Sequence, residues 1–249
     1  MAERRLIRAI GVLESCFKEK FGTPRQPQLV PASRARLRVK SEFIPEQSLK
    51  GLGEFSHVWL LPYFHLNRNK IFLSTVHPPR LRGKTIGVFA SRAPHRPSPI
   101  GLTVARLLRV EGDTLYLAEI DLVDGTPILD IKPYIPAYDS VLQASRGWTE
   151  RADARELSVE FSPQAAEQAR RLERAGTPEL ERLIREVLRQ DLRNSRDRSQ
   201  MKEGKTLGFF IYDFDVHYAV RAGVARVIEI LPAQDFKKAR QAAAPAELE

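Results

Sequence analysis

Over the first 140 or so residues, apolar and polar positions alternate in short runs, and helical periodicity is nearly absent. Residues 6–12 alternate loosely and predict a first strand, and residues 36–39 a second with one charged and one apolar face. Residues 51–66 are strongly apolar and aromatic. They predict a short turn and then a central strand over 56–63, disturbed at Pro62, which has no N–H for a ladder. Residues 101–110 and 114–120 read as two strands joined by a Glu111-Gly112-Asp113 hairpin turn. Residues 86–90 predict a short buried strand inside a proline-rich segment. Residues 15–33 carry Gly22, Pro24, Pro27 and Pro31 and predict an ordered, extended loop. The expectation is a mainly β fold, with a small closed antiparallel or mixed β-barrel over residues 1–145, because closure removes exposed strand edges.

The pattern then changes. Residues 139–156 are polar and linker-like. Residues 157–161 predict a strand, and Ser162-Pro163 a capped helix start running to about residue 175. Thr177-Pro178 predicts a second helix in the same way, with Glu179 and Glu181 favouring its N-terminus and Leu180, Leu183, Ile184, Val187 and Leu188 as its apolar stripe. Strands are predicted over 207–212, 216–220 and 224–230, giving a second, smaller α+β domain over residues 155–235. The last nine residues are expected to fray.

A hydrophobic share of 43% allows a proper core. No apolar run reaches the roughly 20 residues that span a bilayer, and no apolar segment with a cleavage-like site opens the chain. A single cysteine, Cys16, excludes an internal disulfide. A cytoplasmic protein with no membrane role is expected. The net charge of +9 biases its partners toward polyanions.

Charge placement sharpens that bias. Residues 76–109 hold seven Lys/Arg and no acid, whereas residues 110–131 hold six acids and no Lys or Arg. Two functional faces or a mutual ion-pair network would both give this segregation. Residues 78–101 (PPRLRGKTIGVFASRAPHRPSPIG) form a rigid basic segment suited to an anion or phosphate, and a guanidinium can clamp such a group bidentately. Arg92 follows the apolar run directly and is weighted above Arg96; solvated arginines on a proline loop are the plain alternative. His65 and His95 can work as acid or base near neutral pH, or serve as ordinary polar residues. Asp121, Asp124 and Asp130 sit near Gly125 without a matching histidine set, so metal binding is not expected. These carboxylates can accept hydrogen bonds from a ligand or cap the turn. Asp130 and Lys132 share a face if they lie on a strand, as a salt bridge or as a site. No GxGxxG follows a strand, and GxxxxGK[ST], GxSxG and HExxH are absent. The residues alone point to a basic barrel for an anionic or nucleic-acid ligand.

Longer blocks are more specific. KEKFGTPRQP (18–27), GLGEFSHVWLLPYFH (51–65), residues 78–101 and DLVDGTPILDIKPYIP (121–136) occur in the order seen in the TsaA/TrmO (YaeB-like) family of tRNA methyltransferases, and YDFDVHYAV (212–220) extends the match. The chain resembles that family. The resemblance implies a homodimeric β-barrel enzyme that binds S-adenosylmethionine without a Rossmann domain. The implied reaction is methylation of N6 of N6-threonylcarbamoyladenosine at position 37 of a threonine tRNA. It places Arg25, Gln26, Pro27, Phe64, His65, Arg92, Leu102, Leu122, Val123, Asp124 and Gly125 at the cofactor. It gives catalytic roles to Arg92, Asp124 and His65, the latter two as conceivable proton acceptors. It directs Arg96, Lys132, Arg193, Arg196, Arg198 and Lys202 toward the tRNA. Rival readings are a non-catalytic RNA-binding barrel and a methyltransferase for another RNA or small anion. The chain departs from the family at Ser98, where asparagine is usual, and at residues 191–198 (DLRNSRDR), which lack the usual proline and tyrosine. The second departure bears on substrate choice.

Overall fold

The computed structural model describes residues 6–67, 72–78, 81, 83–152, 156–193 and 204–233. Strands β1 (Gly11–Ser15), β2 (Arg34–Val39) and β3 (His57–Pro62) come first, with a short helix α1 (Pro45–Ser48) between the last two. A two-residue ribbon follows, β4 (Thr75–Val76) with β5 (Ile86–Gly87), and then β6 (Thr103–Glu111), β7 (Thr114–Ala118) and β8 (Thr126–Pro133). Six of these strands close a barrel in the order β1-β2-β7-β6-β3-β8, with β8 paired back to β1 and every pairing antiparallel. The period-two pattern fills it: Leu13, Leu37, Leu60, Leu115, Leu117 and Ile128 have no exposed surface, while Arg36 and Arg38 point outward from β2. Each such side chain contributes about 2 kcal/mol of burial. The ladder slips between Leu61 and Pro62, where the sequence predicted a disturbance, and the β6–β7 hairpin turns on Gly112 at φ +57°.

Two local expectations change. The first strand lies at Gly11–Ser15 rather than at 6–12, and Leu6 and Ile7 are 76% and 62% exposed. Closure sets this register. Gly11 pairs with both Val39 and Ile128, and a Cβ on it would stand 2.2 Å from the Arg38 carbonyl oxygen, so the crossing needs glycine. The run 86–90 is not a buried strand. Only Ile86–Gly87 pairs; Val88–Ala90 coils into a 3-10 turn, stabilised by the Ser91 hydroxyl donating to the Val88 carbonyl at 2.8 Å, and Phe89 is 71% exposed. The barrel has no lane left for this segment, so it folds outside.

After a short helix α2 (Pro136–Asp139), a second sheet runs in the order β10-β11-β12-β9: Thr206–Ile211, Phe214–Arg221, Val224–Pro232 and Ser158–Phe161. β9 is parallel to β12. Helices α3 (Pro163–Arg174) and α4 (Leu180–Arg189) accompany this sheet, and Leu180, Leu183, Ile184, Val187 and Leu188 are fully buried with Phe209, Val216 and Val227. Ser162 caps α3 as expected, accepting from the Ala165 N–H at 3.0 Å. The second helix does not start on a Thr177 cap. Glu179 occupies the cap position at φ +56°, and its carboxylate is taken by Arg34 and by Arg182 at 2.6 Å.

The two units are joined by the loop between β1 and β2. Cys16, Phe17, Val30 and Ala32 belong to the core of the second unit, Phe17 bridges to Ile211, and the Tyr212 N–H donates to the Cys16 carbonyl at 2.7 Å. Burial pushes the Cys16 thiol up to about 12, so it carries no reactive thiolate while the joint is closed. Native protein at pH 8 should therefore resist an aromatic disulfide reagent, and one thiol should react once denaturant opens the joint. Rapid stoichiometric labelling without denaturant would show that the loop does not pack there.

Candidate active site at one mouth of the barrel

Antiparallel closure gathers the ends of β1, β3 and β7 with the starts of β2, β6 and β8 at one mouth. The connections there span residues 16–33, 63–102 and 119–125. They are laced together by backbone bonds. Phe64 N–H donates to the Pro99 carbonyl at 2.7 Å and Gly101 N–H to Pro62 at 2.8 Å; Asp124 N–H reaches Phe17 at 2.7 Å and Gly125 N–H reaches Leu13 at 2.8 Å. Gly101 permits the first crossing, because a Cβ on it would stand 2.6 Å from Phe64 Cζ and 2.8 Å from Pro62 Cγ.

Arg92 leaves the 3-10 turn and donates from Nη1 to Gln26 Oε1 at 3.0 Å, linking two of the three connections. The third supplies Asp121. Thr103 at the start of β6 donates its hydroxyl to Asp121 Oδ1 at 2.8 Å. Burial pushes the Asp121 carboxyl up to about 6, against the pull of the Thr103 bond and of the Arg92 charge nearby. From the sequence Asp121 reads as a ligand-binding carboxylate or a turn cap, with metal binding not expected. Its burial beside an arginine comes from the fold, and no spacing in the chain displays it.

Asp124 has a different task. Its Oδ1 accepts the Ser15 N–H at 2.8 Å, its Oδ2 lies 3.3 Å from Lys18 Nζ, and the side chain is only 5% exposed. His65 is half-buried, and desolvation pushes its imidazole below the ordinary value, with Lys20 adding to that effect while the Tyr63 carbonyl and Asp124 oppose it. Burial thus favours its uncharged form. Pro27 and Leu122 are buried, Val123 is partly so, and Leu102 is 56% exposed at the rim. Gly125 is open: at φ +80° a Cβ on it would meet only His65 Nε2, at 3.9 Å. The Arg25 N–H points toward Gln190 Oε1 at 3.4 Å, and the Gln26 amide donates to the Arg25 carbonyl at 2.6 Å. The mouth thus brings Arg25, Gln26, Pro27, Phe64, His65, Arg92, Leu102 and residues 122–125 onto three adjoining connections.

Other candidates fall elsewhere. Arg96 donates to the Ser91 and Val88 carbonyls at 2.9 and 3.2 Å and lies 5.5 Å from the Phe89 ring centre, so it braces the 3-10 turn. Lys132 pairs with Asp130 at 2.7 Å and lies about 20 Å along β8 from the mouth. Arg193 forms a bidentate pair with Asp191 at 2.8 and 3.0 Å and is 18% exposed. Arg196, Arg198 and Lys202 lie outside the described residues. His95 meets Asn67 at 3.1 Å, and Asn67 donates to the Pro94 carbonyl at 2.9 Å, which pins the proline loop to the end of β3. The polar connector is not free either: Trp148 donates its indole N–H to the Ala90 carbonyl at 2.8 Å. A lone tryptophan in a polar stretch was the available signal. Among the described residues the two blocks meet as an ion pair at Arg109 and Glu111, while Asp113, Asp124 and Asp130 meet Arg38, Lys18 and Lys132, outside the basic block.

The model of the tRNA-methyltransferase O N-terminal domain matches residues 12–140, and that of the TrmO C-terminal domain matches residues 154–233. The chain belongs to the tRNA-methyltransferase O family. Among members, the Mus musculus tRNA (adenine(37)-N6)-methyltransferase is 55% identical over 137 residues, which are 54% of this chain and 32% of that protein. The chain therefore spans about a third of the mammalian relative's length. The Escherichia coli protein of the same name is 39% identical over 228 residues, covering 90% of this chain and 96% of its own. A crystal structure of TrmO from Pseudomonas aeruginosa superposes with a TM-score of 0.77 at 38% identity, covering 92% of this chain and 98% of that one. This TrmO-family mouth rests on the Gly101 crossing. Gly101→Ala should cost about 1–3 kcal/mol in thermal unfolding, more than a control substitution on exposed β2; unchanged stability would refute the close packing.

Proposed function

We propose that this chain transfers a methyl group from S-adenosylmethionine to N6 of the adenosine at position 37 of tRNA, with N6-threonylcarbamoyladenosine in a threonine tRNA as the substrate. Similarity supports this over nearly the whole length of the Escherichia coli relative, whose name states the adenine and the position. The observation that carries it is the convergence at one mouth of Arg92 and Gln26, Asp121 and Thr103, His65, and residues 122–125.

The side chains fit the cofactor in kind. Arg92 and Gln26 suit its carboxylate, Phe64 and Leu102 its adenine, and the open backbone at Gly125 allows close approach. The bound cofactor would supply an already activated methyl group. The protein then has to align the nucleophile, exclude water and remove a proton. Arg92, held by Gln26, orients anionic groups; His65, whose uncharged form burial favours, offers a hydrogen bond. Position 37 lies in a loop, so its base can be splayed into the mouth at lower cost than from a duplex.

A homodimer and a cytoplasmic location belong to the same proposal. Exposed apolar rings beside the mouth favour the dimer: Phe72 and Phe89 are 53% and 71% exposed with centroids 6.5 Å apart. Among the described residues no helix is long and apolar enough to cross a membrane, and no three His, Cys, Asp or Glu side chains gather as a metal site would need.

Two experiments test this reading. Labelled S-adenosylmethionine and total tRNA should yield one labelled nucleoside, identified by mass as N6-methylated threonylcarbamoyladenosine, and Arg92→Ala should cut kcat/KM by about 10–100-fold, as expected for a lost charge-assisted bond, with its melting temperature kept. Label in another nucleoside would redirect the substrate, cofactor binding without transfer to tRNA would favour another acceptor, and no cofactor binding would favour an RNA-binding barrel. In light scattering, Phe89→Asp should turn a dimer into a monomer; a monomeric parent would remove the dimer from the proposal.

A further inference from the structure

Removing the proton from the methylated nitrogen needs an acceptor, and two groups named from the sequence are poorly placed for it. The Asp124 carboxylate is committed to the Ser15 amide and Lys18 and has 5% of its side chain exposed. His65 has been made a weaker base by burial. A third group lies on the same connection. Asp121 and Asp124 are alike in being partly accessible as residues, but among the described residues the Asp121 carboxyl meets one side-chain donor, the Thr103 hydroxyl, and no ammonium group. The charged group acting on it is Arg92, across the mouth.

Resting on the function proposed above, we propose that Asp121 is the catalytic proton acceptor for the nitrogen that is methylated, with Thr103 as the positioning residue that fixes its carboxyl. As the new nitrogen–carbon bond forms from the nitrogen lone pair, the methyl–sulfur bond breaks and its electron pair stays on sulfur. The nitrogen–hydrogen bond breaks, leaving its pair on nitrogen, and the proton passes to the Asp121 carboxylate. Nothing beyond the cofactor and the nucleoside is consumed.

The basicity suits this step. A carboxyl titrating at about 6 is roughly ten-to-one ionised at pH 7, yet is a stronger base than an ordinary surface aspartate. Arg92 keeps it ionised while burial keeps it reactive. The sign for stability runs the other way. The folded value lies above the ordinary one, so the stability Asp121 contributes is full below about pH 4 and is lost as pH rises through about 6. Asp121→Asn removes that loss and should melt no earlier than the parent at pH 8.

The test is the pH dependence of single-turnover methyl transfer at saturating tRNA and cofactor, with cofactor affinity from calorimetry and the Asp121 carboxyl followed by carbon NMR without cofactor. The parent should lose rate below about pH 6, in step with the NMR titration. Asp121→Asn should lose about 100-fold or more in rate, with its acid limb abolished and cofactor affinity kept. Thr103→Val removes a bond that favours the anion, so NMR titration and acid limb should move to higher pH together. Full rate or a surviving acid limb in Asp121→Asn overturns the inference, as does a Thr103→Val titration that moves without the limb. A parent that methylates no tRNA defeats the function proposed above and this inference with it, whereas an active parent with an indifferent Asp121→Asn defeats this inference alone.

Discussion

Barrel closure is the constraint on which the rest depends. Six antiparallel strands must return β8 to β1, and that return is possible only where Gly11 lets the backbones of β1 and β2 come together. Closure then decides which connections meet. At the far end β6 and β7 are joined by a short turn at Gly112 and Asp113 and β2 and β3 by residues 40–56, while residues 16–33, 63–102 and 119–125 meet at the near end. Those segments hold their shape by donating backbone bonds to one another and to strand ends.

The energetic scale of this arrangement explains how a charge can be buried at the mouth. Raising a carboxyl from its ordinary value to about 6 costs about 3 kcal/mol at neutral pH. One or two buried barrel leucines, at about 2 kcal/mol each, offset it. The role proposed for Asp121 and the stability of the fold pull in opposite directions, and the apolar interior supplies the margin.

The barrel was legible in the sequence because period-two alternation is written by burial on one face, and that signal survives in β2, β3, β6 and β7. The capped start of α3 and the stripe of α4 were legible for the same local reasons. What the sequence could not show were long-range decisions. Apolar Leu6 and Ile7 look like a strand until closure demands a glycine at the crossing, and residues 86–90 look like a strand until every lane is taken. The family blocks marked the mouth, and the structure brings those positions onto adjoining segments. They gave no warning that Arg193 is folded onto Asp191 or that Lys132 is far along its strand. Asp121 was visible as an acid and invisible as a buried one, since burial beside Arg92 is created by residues far apart in the chain.

The hydrogen bond from Trp148 to Ala90 ties the connector, which falls between the two matched family segments, to the turn that launches Arg92. For protein engineering this changes where a seam can be cut. A chimera that replaces the C-terminal unit from residue 141 onward discards the indole along with it and leaves the arginine's turn without that anchor. A fusion made after residue 152 retains it. Exchange of C-terminal units between relatives is therefore best attempted at the later seam, where the recipient's own connector travels with its barrel.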